Sequence, residues 1–171
     1  MERIMDLLVT TFFLLAQPAA PRCTTACPCT VPAGVDWRSA RVMAPRARRQ
    51  AVAIFLGIVV GADTLARDSV WMSGDSSPGR RPIVSAKTVR YRFVVHRVWK
   101  GNIRSSAIVI NYDANTSCGR DYKMDGMYLV YAERDHEVPR GLMTYSCSRV
   151  KPEGDIQDDL QVLGPGKPPN S

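Results

Sequence analysis

Cys27-Pro28-Cys29 sets two thiols one residue apart, and two more lie far downstream in Ser117-Cys118-Gly119 and Tyr145-Ser146-Cys147. Four such sulfurs can close two disulfides or hold a tetrahedral metal; a thiol left free beside a histidine could act as a nucleophile. Cys23 is a fifth, just upstream. The compartment decides among these chemistries. Residues 7–16 (LLVTTFFLLA) form an apolar run after a short start containing Arg3, the pattern of a secretory signal. The run falls well short of the ~20 residues that span a bilayer, so no transmembrane span is expected in the mature chain. Export to an oxidising space favours disulfides over a metal site of four cysteines. Four cysteines allow three pairings, and joining Cys27 to Cys29 is disfavoured by the shortness of the loop.

Residues 1–26 read as the signal and its cleavage region. Two cuts are open. One follows Ala20, with Pro18 and Pro21 flanking the site. The other follows Thr24-Thr25-Ala26, removes Cys23 and makes Cys27 the first residue of the mature chain. The same Thr24-Thr25-Ala26-Cys27 stretch has the order of a lipoprotein signal, although the apolar run does not abut the cysteine. Met5 offers an alternative start.

Other chemistry-bearing residues are sparse. The only histidines are His96 and His136, the first expected on a strand and the second in a loop, and no catalytic constellation is expected. Asp158-Asp159, Asp121 and Asp125 read as solvated turn or helix-face charges. Asn115-Thr116-Ser117 is a sequon that would accept a glycan in a eukaryotic secretory pathway. Trp37 and Trp71 fall in loop-like stretches. No cofactor is expected. Basic residues exceed acidic ones by 23 to 16, a net charge of +7 carried mostly by arginine, which favours anionic partners. Tyr91 and Phe93 alternate with Arg90 and Arg92 but share a face with Val89 and Val95, so they read as core rather than as exposed aromatics on a basic face, which argues against nucleic acid.

The elements that must position these residues follow from periodicity. A short helix is predicted over 36–44, ahead of the basic Pro45-Arg46-Ala47-Arg48-Arg49. Residues 51–61 (AVAIFLGIVVG) predict a buried strand, with Gly57 permitting a bulge. A long polar loop is expected over 62–83. Residues 87–99 alternate: Val89, Tyr91, Phe93 and Val95 fall on one face, Thr88, Arg90 and Arg92 on the other. Further strands are predicted over 107–112, 127–132 and 141–146. Asp155 should cap a short helix carrying Ile156, Leu160 and Leu163 on one face, stopped by Gly164 and Pro165. Residues 165–171 read as a disordered tail. Five strands within about 95 residues indicate a small all-β barrel or sandwich.

Taken in order, Cys-x-Cys, the Phe55-Leu56-Gly57-Ile58-Val59-Val60 strand, Tyr91-Arg92-Phe93-Val94-Val95-His96-Arg97-Val98-Trp99-Lys100-Gly101, Ser117-Cys118-Gly119, Gly126-Met127-Tyr128-Leu129-Val130 and Leu142-Met143-Thr144-Tyr145-Ser146-Cys147-Ser148 resemble the netrin-like domain of tissue inhibitors of metalloproteinases, especially its short secreted bacterial relatives. The resemblance covers residues 27–164. It implies an all-β chain with flanking helices: a five-stranded OB-fold barrel plus a short C-terminal helix. It also implies the pairs Cys27–Cys118 and Cys29–Cys147. Each bridge would close a loop of roughly 90 residues or more, worth about 4–5 kcal/mol in the chain-entropy model.

In that family the free α-amine and carbonyl of the N-terminal cysteine chelate the catalytic zinc of a target protease, and the second residue enters its specificity pocket. Carried over, Cys27 would chelate and Pro28 would enter the pocket. Proline departs from the small hydroxyl or aliphatic residue usual there. The resemblance therefore implies a secreted, non-enzymatic inhibitor of zinc metalloproteases with no metal of its own. The alternative is a non-inhibitory extracellular or cell-envelope module that binds an anionic polymer or surface through its basic side.

Overall fold

The computed structural model describes residues 39–71, 83–114 and 119–171. The signal segment expected over 1–26, Cys27, Pro28, Cys29, Trp37, Asn115 and Cys118 lie outside the described residues.

Helix α1 spans Ala40–Gln50. It takes in Pro45 and the basic run that the sequence placed beyond the helix. Proline removes one intrahelical hydrogen bond. Packing outweighs that loss here, because Ala40, Ala44, Ala47 and Ala51 recur at helical spacing and Ala44, Ala47 and Ala51 pack with Ile54, Leu129 and Tyr131. Arg48 and Arg49 in the last turn suit the negative end of the helix dipole. Lys100 Nζ donates to the Arg48 carbonyl at 2.7 Å, satisfying one of the helix's open acceptors.

Strands β1 (Ala53–Trp71) and β2 (Ile83–Lys100) pair antiparallel along their whole length. The loop expected over 62–83 is therefore strand at both ends, and only 72–82 remain between the two. Polar residues enter this strand because cross-strand hydrogen bonds hold it, which the apolar pattern alone does not signal. Strand β3 is Ser106–Ala114, β4 Met127–Arg134, β5 Leu142–Thr144 and β6 Val150–Pro152. The 3-10 turn Glu153–Asp155 leads into α2, Gln157–Leu163. Asp155 thus lies in the turn before α2 rather than capping it, and Ile156 holds the N-cap position without a side-chain bond. Ile156, Leu160 and Leu163 face inward as expected.

The sheet order is β1-β2-β3-β5-β4-β6, and β1 pairs β4 as well. Strands β1, β2, β3, β5 and β4 close a five-stranded barrel, and β6 pairs with β4 at Tyr128–Val130, next to the short β4–β5 pairing at Glu133 and Arg134, with Val150 in the core. The β3–β5 pair is parallel and the other pairs are antiparallel. This is an OB-fold-like all-β barrel with flanking helices, one of them C-terminal. β1 pairs with β2 along one edge and β4 along the other, and the four register slips with β2 add the bend and twist that a closed barrel needs. One slip lies at Leu56/Gly57, where a Cβ on Gly57 would sit 2.8 Å from the Val94 carbonyl oxygen.

Phe55, Val59, Val89, Tyr91, Phe93, Val95, Val109 and Val130 fill the barrel. Val89, Tyr91, Phe93 and Val95 point inward as their alternation predicts. Tyr122, between β3 and β4, packs edge-to-face on Tyr91, Phe93 and Tyr128 at ring separations of 4.8, 5.3 and 5.1 Å. A second core lies under the helices, around Ala44, Ile54, Leu129, Tyr131 and Ile156.

The C-terminal residues are not a disordered tail. Val98 and Lys167 exchange backbone bonds at 2.8 and 2.9 Å, and Asn170 N–H donates to the Ile103 carbonyl at 2.9 Å. Trp99 Nε1 donates to the Gly164 carbonyl at 2.8 Å. Gly166, at φ +66°, brings bare backbone against the Trp99 ring: a Cβ there would lie 2.8 Å from it. Composition suggested disorder, but an open strand edge supplied hydrogen-bond partners.

Candidate functional site

Strand β5 runs into a tight turn over 145–148 that carries Cys147. Ser148 N–H donates to the Tyr145 carbonyl at 2.9 Å, and Tyr145 N–H donates to Ser148 Oγ at 3.1 Å. Arg120 reaches this turn from the segment that follows β3. Its Nη2 donates to the carbonyls of Ser146 at 3.0 Å and Ser148 at 3.4 Å, the residues on either side of Cys147. Arg120 is itself held by Asn111: its N–H donates to Asn111 Oδ1 at 3.3 Å, and the Asn111 amide donates to its carbonyl. Asn111 and Thr144 are fully buried, and Tyr122 bonds Thr144 through the two hydroxyls at 2.8 Å. Burial pushes the Tyr122 hydroxyl well above the ordinary tyrosine range.

A buried polar frame thus sets residues 119–120 against the Cys147 turn at one end of the barrel. Cys147 is disulfide-bonded. Its sulfur is therefore neither a free nucleophile nor a thiolate ligand. The C-terminal part of α1 covers the turn. Between them is a cleft of ≈ 10 Å³, bordered by Ala47, Gln50, Tyr131 and Cys147 and large enough for one water.

Beneath the cleft lies an ion pair that the sequence did not reveal. Asp159 was expected to be solvated, yet it is fully buried; Asp158 beside it is exposed. Arg149 Nε and Nη2 donate to the two Asp159 oxygens at 2.6 and 2.7 Å, and Tyr131 Oη donates at 2.9 Å. Asp159 shares a helix face with Ile156 and Leu163, so docking α2 carries it inward. A buried carboxylate persists only when paired. Burial, then the Asp159 charge, pushes the Tyr131 hydroxyl far up. Burial lowers the Arg149 affinity for its proton, but Asp159 more than offsets this and the guanidinium stays charged. Asp121 and Asp125 are exposed, as expected.

His96 is exposed on β2 and His136 is exposed in the loop after β4. Among the described residues no group of three His, Cys, Asp or Glu could hold a metal, and no helix is long and apolar enough to cross a membrane. Trp71 ends β1 instead of lying in a loop.

Charge divides along the chain. Residues 84–112 hold Lys87, Arg90, Arg92, Arg97, Lys100 and Arg104 with no acidic residue, and 39–62 hold Arg41, Arg46, Arg48 and Arg49, again with none. Nine carboxylates fall between Asp121 and Asp159. On the outer face of the barrel Arg90 pairs with Asp63 at 3.3 Å. Arg92 is exposed, and Val60, Val94 and Ile108 nearby are 47, 42 and 52% exposed. Strand alternation placed Arg90 and Arg92 outward; the aliphatic neighbours come from β1 and β3 and could not be assigned without the register.

No family model matches the chain, and no curated protein matches it either.

Proposed function

We propose that this is an exported inhibitor of zinc metalloproteases of the tissue-inhibitor type, acting through Cys27 and Pro28. One observation carries the reading. Arg120 bonds the carbonyls on both sides of Cys147, so the segment that follows Cys118 lies beside the Cys147 turn. Bridges Cys27–Cys118 and Cys29–Cys147 would then both end at one rim of the barrel and hold Cys27-Pro28-Cys29 there as a rigid ridge. A ridge fixed before binding loses little entropy when it docks. Processing after Ala26 would free the Cys27 α-amine. Amine and carbonyl would take the position on the protease's zinc that water otherwise occupies. Any residue left ahead of Cys27 turns the amine into an amide, a poor ligand at neutral pH.

The test is non-reducing intact mass with N-terminal peptide mapping, followed by a panel of zinc proteases. The expected result is an unmodified Cys27 start, two disulfides, and inhibition that disappears when the α-amine is acetylated. A start at Pro21, or a lipid on a cysteine, sinks the chelation reading.

The division of charge favours a second reading, an extracellular or envelope module that binds an anionic partner through its basic side. Binding that weakens with salt and leaves proteases untouched is its signature.

A further inference from the structure

On the outer face of β2, Arg92 stands opposite Gly61 of β1 and Ile108 of β3, and Val94 stands opposite Ile58 and Ser106. Glycine at 61 sets the position of the guanidinium. A Cβ there would lie 2.5 Å from Arg92 Nε and 2.6 Å from Nη2, so the group rests on bare backbone. Arg90, one step along the same face, has Asp63. Among the described residues Arg92 has no carboxylate partner. Ile108 stands directly opposite it, Val94 lies two residues along the same face, and Val60 falls in the register slip next to Gly61; each is more than two-fifths exposed.

Scattered aliphatic residues on a surface need no explanation, but three beside one guanidinium that has no carboxylate partner among the described residues do. A polyanion would use the exposed arginines of α1 equally well and gain nothing from the aliphatic rim. A lipid surface favours protruding aromatics, and this patch has none. A carboxylate flanked by aliphatic side chains matches both parts. The guanidinium can take the carboxylate bidentately while the rim excludes water, the arrangement of a binding hot spot.

We infer that Arg92, seated on Gly61 with Val60, Val94 and Ile108 beside it on the outer face, is a docking point for a segment of another protein that presents one carboxylate among aliphatic residues. The inference rests on the second reading above and narrows its partner. It is independent of Cys27.

The probe is a small set of fluorescein-labelled peptides, each with a central Glu or Asp flanked by Val, Leu or Ile, read by fluorescence anisotropy against the full mature chain. Arg92→Gln should weaken binding about tenfold or more, as loss of a hot-spot arginine does. Replacing the peptide's carboxylate by its amide should do the same. Ile108→Ser should weaken it several-fold, and Gly61→Ala should weaken it by displacing the guanidinium. Arg48→Gln with Arg49→Gln should change little. Thermal unfolding of each variant separates lost binding from lost fold. No binding by any peptide overturns the inference, as does equal loss from the α1 variants. Tighter Arg92-dependent binding to heparin or to phosphatidylserine vesicles overturns it too, as does a dimer that Arg92→Gln dissolves. Polyanion binding that ignores Arg92 would overturn this inference and leave the second reading standing.

Discussion

Asp159 holds together three elements through its two carboxylate oxygens: Arg149 beside β6, Tyr131 on β4 and its own helix α2. Asp159→Ala would leave a guanidinium buried without its counter-charge. It should cost about 3–5 kcal/mol, read as a fall in the urea midpoint. Asp159→Leu with Arg149→Leu should recover much of that, because both desolvation costs vanish together. If the single variant is as stable as the parent, the pair is not buried. Tyr122 and Tyr131 add a pH dependence. In the folded chain both hydroxyls keep their protons to higher pH than in the unfolded chain, where they ionise near 10.0. Above that pH the unfolded state holds fewer protons, so stability falls as pH rises; below it the contribution is complete. The urea midpoint should be flat up to that point and then decline. Tyr131→Phe should shallow the decline. None of this was legible locally: Asp158 and Asp159 are the same residue type side by side, and only the docking of α2 separates them.

At the scale of elements, α1 carries a removable cost. Pro45 deprives the helix of one hydrogen bond, so Pro45→Ala should stabilise the chain by roughly 1–3 kcal/mol, measured by denaturant unfolding. A loss instead would mean that the backbone geometry Pro45 imposes is needed to seat Ala47 and Ala51. The C-terminal strap answers to Gly166. Gly166→Ala meets both a positive φ and the Trp99 ring, and should cost on the order of 1 kcal/mol or more and red-shift Trp99 emission as the strap lifts. The inward face of β2 was readable from alternation, and the inward face of α2 from helical spacing. The length of β1 was not, because residues 62–71 mix polar and apolar types without a clean alternation and are held as strand by their partner. Nor was α1 past Pro45, because the proline rule is local and the packing that overrides it comes from β1 and β4.

For the whole molecule, the decisive feature is the rim where residues 119–120 meet the Cys147 turn. Reduction of the Cys147 disulfide should lower stability by about 2–4 kcal/mol, read as a lower Tm with and without reductant. An unchanged Tm would leave the proposed staple without a structural role. Much was set by sequence alone. Alternation and apolar runs determine which residues fill a small β-barrel, since burying a period-two face permits few solutions. Charge order along the chain likewise determines that one part is basic and another acidic. The tertiary structure alone decided which residues meet: that β1 joins both β2 and β4 to close the barrel, that Arg120 reaches the Cys147 turn, that Asp159 enters the core while Asp158 stays in water, and that Gly61, Arg92 and Ile108 share one outer row. These pairings join residues tens of positions apart. Their energies depend on register and burial, which no local pattern encodes.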